Sequence, residues 1–444
     1  MRTIHMIEKS IIKSLGGNND LLIEGLPFID KKILVESILS ENNFECKKYD
    51  LSNRSHIDKL TSCFSENSPE RSDEKHRKNV LILHIEKNIG LLKSLLNQNS
   101  DDFRYIFVSD VILDNLQDSP NLDILTIKPL NFLEFLYSSG LKEDDLKKYR
   151  NRAFEDINEE NALTSKLYSL LDVYSLIGGI PKCVEAYLSS GSLNKALKVR
   201  DEAYAEFKDS LFSLCASSLM SPETKDMNTI RNASKAFDSL TPYFSGDSYD
   251  YKFSFISPSS RKGAYLPSFV WMKKNGFVCL SSRMAPSSFV ADDDANYFKA
   301  YLPDIGLEMA ALKINDVNRS GNRLIDLLIA DSLFKKGVSL RYMFDSKTHE
   351  KIDCIAAYDN HYEIYKTSGD KKCSSLYSKV ASNLNVPNIY NVMYDTKGKS
   401  EKEPFTNINI LDTLLDICAS ENDFSSEKEK DMQAIEINPD SFLS

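Results

Sequence analysis

Eight cysteines in 444 residues stand at 46, 63, 183, 215, 279, 354, 373 and 418, and no two make a C-x-x-C pair. That excludes the thiolate spacing of a structural zinc site. Met1–Gly16 has no continuous apolar stretch and does not read as a secretory leader, so the cysteines are not expected to form a disulfide framework. The six histidines (5, 56, 76, 84, 349 and 361) show no H-x-x-H or H-E-x-x-H spacing, and the sequence points to no metal site. No run approaches the ~18 apolar residues that a membrane span needs, so the chain is expected in the cytoplasm, without a membrane partner. An excess of basic residues is also missing. Lys plus Arg is 55 against 65 Asp plus Glu, a net charge of −10, so nucleic acid could be held only by a local basic patch.

What is present is ordinary globular usage, 42% hydrophobic and 27% charged, which excludes a disordered chain, a collagen or a coiled-coil rod. The length allows about three domains at roughly 150 residues each. Over the first ~145 residues strand and helix signals alternate. Asp20–Glu24 is a short apolar run before a turn at Gly25-Leu26-Pro27, and Lys31–Glu41 has helical periodicity. Val80–Ile85 and Phe103–Ser109 are strand-like, and Ser65–Lys78 reads as a polar loop. Apolar strands separated by helices predict a parallel sheet covered on both faces. From Asp144 to about Leu240 the pattern is helical. Gly263–Gly276 reads as a helix followed by a strand, the end of a winged-helix unit. From Gly321 a helix leads to strands near Leu340–Phe344, Ile352–Ala357 and Tyr362–Lys366. The last 26 residues hold seven acids against two lysines and read as a loosely held tail.

Three segments resemble one family. Ile127–Leu136 (IKPLNFLEFL) resembles the "PLSF-x-EF" segment that follows an ATPase core. Tyr174–Tyr187 (YSLIGGIPKCVEAY) resembles a "GG-x-P" signature. Tyr265–Leu312 contains YLPSFVWMKKNGFV and YFKAYLPDIGLEMAAL, and resembles a "WL…aGlv…FKlYl-D-x-GLL" block. By these the chain is similar to prokaryotic AAA-type ATPases carrying a C-terminal domain of unknown function, number 4143. The resemblance implies a P-loop NTPase-like parallel sheet with helices on both faces over 1–143. It further implies a helical and winged-helix region over 144–312, a small α/β PD-(D/E)xK nuclease-like domain over 313–418, and an acidic tail over 419–444.

The residues that such chemistry needs are altered. A phosphate loop requires G-x-x-x-x-G-K-[ST], in which glycines wrap the phosphates, Lys neutralises them and a hydroxyl holds Mg²⁺. The matching stretch, Gly25 to Lys32, keeps Gly25 and Lys31 as its only nucleotide-binding candidates. Asp30 replaces the second glycine and Lys32 the hydroxyl. A carboxylate ~4 Å from a phosphate charge opposes it by about 4 kcal/mol at a dielectric near 20. Without a nucleotide, Lys31 is expected to be solvated. At the end of the strand Val80–Ile85, where the family carries two acids, stand Leu83 and His84. His84 is a possible base, and Glu86 lies too late in a regular strand to substitute. Ser109-Asp110 keeps a polar strand end, and the arginine that the family shows just before "PLSF" is missing from Ser119–Asp123.

The nuclease-like module needs carboxylates around Mg²⁺ and a lysine. By resemblance, Asp326 takes the helix-acid position and Asp353 the strand-acid position, while Glu363 and Lys366 replace E-x-K. Three apart, those two point to opposite faces of a regular strand. Arg261, Lys262, Lys273 and Lys274, with Arg283, are the candidate DNA contacts. The expectation is therefore a degenerate pseudo-ATPase and pseudo-nuclease acting as a scaffold for another protein. ATP with Mg²⁺ is the possible cofactor. The alternative is a divergent nucleotide-binding ATPase that contacts DNA through its winged helix.

Overall fold

The computed structural model describes residues 2–26, 31–65, 78–97, 103–113, 121–154, 156–220, 227–246, 248–286, 288–289, 297–317, 322–345, 348–367, 375–394, 400–402 and 405–419. The N-terminal part runs α1 (Arg2–Leu15), β1 (Asp20–Gly25), α2 (Lys31–Glu41), β2 (Cys46–Asp50), α3 (Arg54–Ser65), β3 (Lys78–Leu83), α4 (Ile89–Asn97), β4 (Phe103–Val108) and β5 (Leu122–Ile127). Its five strands are all parallel, in the order β2-β3-β4-β1-β5. Alternation along the strands divides their side chains between two cores. Leu22, Val80, Ile82, Tyr105 and Phe107 pack with Leu60 of α3 and Leu92 of α4. Leu21, Ile23, Leu81, Leu83, Ile106 and Val108 face Leu34, Val35 and Ile38 of α2 and Ile11 of α1. Both faces are thus covered, which is why these strands are nearly continuous apolar runs. Buried Arg104 reaches out of β4 to the carbonyls of Leu15 (2.6 Å) and Ser14 (3.2 Å), capping the C-terminal end of α1.

A helical layer follows: α5 (Phe132–Ser138), α6 (Glu143–Asn151), α7 (Ile157–Ile177), α8 (Pro181–Ser190), α9 (Leu193–Met220), α10 (Met227–Asp238), α11 (Leu240–Ser245) and α12 (Lys262–Lys274). Asn131 and Glu134 form a reciprocal capping box at the start of α5. The remainder is β6 (Cys279–Met284), β7 (Phe298–Tyr301), α13 (Ile305–Ala311), α14 (Asn322–Lys336), β8 (Ser339–Phe344), β9 (Lys351–Ala357), β10 (Tyr362–Lys366), α15 (Ser375–Asn383), β11 (Asn388–Met393), β12 (Ser400–Lys402), β13 (Phe405–Asn409) and α16 (Ile410–Cys418). These strands make one eight-stranded mixed sheet in the order β12-β13-β11-β10-β9-β8-β6-β7. The sheet runs across residues 312 and 313, with β6 and β7 before that point and β8 after it. The strand-like stretch Phe277–Ser281, read as the end of a winged-helix unit, leads into β6, which pairs antiparallel with β7 and in parallel with β8 and so belongs to this sheet. Among the described residues no helix is long and apolar enough to cross a membrane.

The three segments that carry the family resemblance meet at one buried polar node. The N–H of Leu130 bonds the carbonyl of Gly179 (2.8 Å), and the N–H of Gly179 bonds Asp304 Oδ2 (2.8 Å). Lys335 of α14 places its ammonium 2.7 Å from Asp304 Oδ2 and 2.9 Å from Asp331 Oδ2. The hydroxyl of Tyr174 lies 2.8 Å from Asp331 Oδ2. A side chain at Gly179 would put its Cβ 1.8 Å from the carbonyl oxygen of Leu130. The "GG-x-P" glycine is required here by a close approach of two backbones, not by a ligand.

Candidate functional sites

The carboxyl ends of β1, β3 and β4 open beside the point where the strand order reverses, the usual location of a ligand crevice in an open parallel sheet. Gly25 ends β1 at φ +147°, and a Cβ there would lie 2.4 Å from the carbonyl oxygen of Ile127 in β5. Its glycine is accounted for by strand packing. Pro27 to Asp30 lie outside the described residues, and Asp30 stands where a phosphate-loop pattern has its second glycine. Lys31 opens α2 and is fully buried, contrary to the solvated lysine expected. Its ammonium donates to the carbonyl of Leu26 (3.1 Å) and pairs with Asp110 Oδ1 (3.2 Å). Neighbouring Lys32 pairs with Asp50 at the end of β2 (2.9 Å).

His84 follows β3 in the left-handed region, φ 56° and ψ 45°, and turns the chain into a 3₁₀ turn over Ile85–Lys87. Glu86 is therefore not in a strand, and no change of register is needed to bring it to the site. Its Oε1 lies 3.5 Å from His84 Nδ1, and its Oε2 accepts the N–H of Asp110 at 3.3 Å. The same Nδ1 is 3.2 Å from Asp110 Oδ2. The hydrogen bonds that the His84 imidazole donates to Asp110 and Glu86 outweigh burial and raise its pKa to about 9. Burial raises that of Asp110, but His84 and Lys31 overcome it and hold the carboxyl below its ordinary value. Leu83, at the first acid position of the resemblance, is buried. Glu24, buried under the same crevice, accepts from the N–H of Leu113 (2.8 Å) and the hydroxyl of Thr126 (3.0 Å).

The second site is a cavity of about 250 Å³ between α14, β7 and β9. Asp326 and Asp353 both line it, as do Glu308, Lys299, Lys351 and Thr367. The register explains how Asp353 comes to face it. Arg341 pairs with Ile355 and Met343 with Ile352, so β9 bulges between them. Ile352 and Ile355, three apart, share the core on one face, and Asp353 points to the other. Lys299 lies 3.8 Å from Asp326 Oδ2 and 4.0 Å from Asp353 Oδ1, donates to the Asp353 carbonyl (3.0 Å) and sits over the Tyr249 ring. Burial raises the Glu308 pKa to about 7, against the pull of Arg323. Glu363 and Lys366 are not brought to this cavity. Glu363 accepts from the Tyr365 hydroxyl (2.7 Å) and lines a different cavity with Tyr358 and Tyr390. Lys366 is buried with its ammonium 5.0 Å from the centre of the Phe405 ring. Thr367, one residue on, reaches Asp353 Oδ2 at 3.4 Å.

The basic residues around α12 do not form one patch. Arg261 and Lys262 begin the helix, while Lys273 and Lys274 end it some 18 Å away at 1.5 Å per residue. Arg283 is engaged by the Phe344 carbonyl, by Asp250 (3.6 Å) and by the rings of Tyr297 and Phe344. Sequence reasoning missed Lys299, Lys351 and Glu308, because their neighbourhood to Asp326 and Asp353 is created by sheet order and by the packing of α13 and α14 against the sheet.

No family model matches the chain, and no curated protein matches its sequence. Among solved structures, the Thermotoga maritima RuvB Holliday junction branch migration motor aligns at 13% identity with a TM-score of 0.24, over 66% of this chain and 90% of that one. A likeness that slight carries no argument about fold or function. The five-stranded parallel α/β sheet is itself consistent with a P-loop NTPase-like fold.

Proposed function

We propose that this chain is a P-loop-ATPase-like protein of the AAA type whose ancestral sites have been filled by its own lysines, and that it serves as a scaffold for another protein. The observation that carries this reading is Lys31, whose fully buried ammonium is already engaged by Leu26 and Asp110. A phosphate would have to break a short internal ion pair to recruit it, and partners of a buried charge are costly to remove. Lys299, set between Asp326 and Asp353, supports the same reading for the nuclease-like module. Titration calorimetry of Mg²⁺-ATP into the full chain tests the proposal. No saturable heat is expected up to near-millimolar nucleotide. Micromolar binding that Lys31→Ala abolishes would overturn it in favour of a divergent nucleotide-binding ATPase.

A further inference from the structure

We infer that His84, Glu86 and Asp110 form a binding site for a divalent first-row transition metal, independent of any nucleotide. One ligand atom from each of the three lies within 4.8 Å of the others. The separations from His84 Nδ1 are 3.2 Å to Asp110 and 3.5 Å to Glu86. Bonds of about 2.1 Å place adjacent ligands roughly 3.0–3.4 Å apart in octahedral or tetrahedral shells, so the two separations from His84 already match edges of such a shell, and the carboxylate oxygens lie within 4.8 Å of each other.

The outer partners point the same way. Each residue offers one atom inward while the protein faces the other. Asp110 turns Oδ2 to the cluster, and Lys31 pairs with its Oδ1 at 3.2 Å. Glu86 turns Oε1 inward, and its Oε2 accepts the N–H of Asp110 at 3.3 Å. His84 Nε2 faces Asp50 Oδ1 at 3.9 Å, and Asp50 is anchored by Lys32 and by the N–H of Ser52. A carboxylate behind the imidazole and donors behind each ligating carboxylate are the outer arrangement that orients metal ligands. All three residues are partly exposed, which leaves a path for the ion and room for water to complete its shell. One imidazole nitrogen with two carboxylate oxygens favours Zn²⁺, Mn²⁺, Fe²⁺ or Co²⁺ over the all-oxygen preference of Mg²⁺ and Ca²⁺. Histidine spacing could not reveal the site, since its ligands come from the ends of two different strands.

The test is a Co²⁺ titration of the chelator-stripped, nucleotide-free full chain, followed by visible absorption and calorimetry. One equivalent is expected to bind with d–d bands and no thiolate charge-transfer band, and Zn²⁺ should displace it. His84→Ala and Asp110→Asn should weaken it at least tenfold, and Asp326→Asn, at the other carboxylate cluster, should leave it unchanged. Glu86→Gln, on the partly exposed turn, gives the same reading should the His84 variant misfold. No saturable binding, a thiolate band, or affinity unchanged by the Glu86 and His84 variants would overturn the inference. Each of these outcomes is separate from the result of the ATP titration.

Discussion

At the scale of single residues, the crevice of the parallel sheet is defined by charges that satisfy one another. His84 shows how this reaches stability. Its pKa is about 9 in the folded protein against 6.5 in an open chain, because Asp110 and Glu86 hold the imidazolium. The native state therefore keeps a proton that the unfolded state releases. The stabilisation is complete below pH 6.5 and is lost as pH rises through 9. In metal-free buffer, urea midpoints of the wild type and of His84→Gln should be furthest apart near pH 6 and converge toward pH 9–10. A constant gap would mean that His84 is not held charged by these carboxylates. The same residue shows what a strand pattern conceals. Val80–Ile85 is legible as a strand, but the left-handed turn at His84 that brings Glu86 back to the site is not, because neither residue type demands it.

At the scale of elements, the junction of α7 and α8 runs hard against the backbone of Leu130. Gly179→Ala would drive a Cβ to 1.8 Å from a main-chain oxygen, which neither α5 nor α8 can yield without moving as a body. We expect a loss of about 3 kcal/mol or more. Gly263→Ala, in the first turn of α12 with nothing within 4 Å of the new Cβ, should be neutral or gain up to about 1 kcal/mol. Urea denaturation of the two variants distinguishes a glycine required by packing from one that is merely tolerated. The bulge in β9 belongs to this scale too. It sends Asp353 into the cavity with Asp326 while Glu363 and Lys366, on a regular β10, face elsewhere.

At the scale of the whole molecule, the node around Asp304 joins the segment after β5, the α7–α8 turn, α13 and α14. One carboxylate accepts from the N–H groups of Gly179 and Gly306 and pairs with Lys335. Asp304→Ala leaves a buried ammonium with half its counter-charge and two backbone donors unpaired, a loss of about 3–5 kcal/mol. Trp271, the single tryptophan, sits in α12 against the same large core and reports the change by fluorescence. An unaltered tryptophan-detected transition would show that the node does not hold the helical layer to the eight-stranded sheet. The segments Ile127–Leu136, Tyr174–Tyr187 and Tyr265–Leu312 each supply part of this node. What they mark is packing, and the chemistry of the two cavities is written in other residues.

The apolar runs of β1, β3 and β4 and the periodicity of α2 and α7 determine by themselves the covered parallel sheet and the helical layer, since burial acts on pattern and pattern is local. Equally legible is that Asp30, Lys32 and Leu83 do not fit the phosphate-loop and strand-end patterns, because a pattern of residue types at fixed spacing is local. Only the tertiary structure decides that Lys31 is buried against Asp110, that Lys299 stands between Asp326 and Asp353, and that His84, Glu86 and Asp110 converge. Those encounters depend on strand order, on a bulge and on one left-handed residue. All three are set by long-range pairing, and none leaves a mark in the spacing of the side chains.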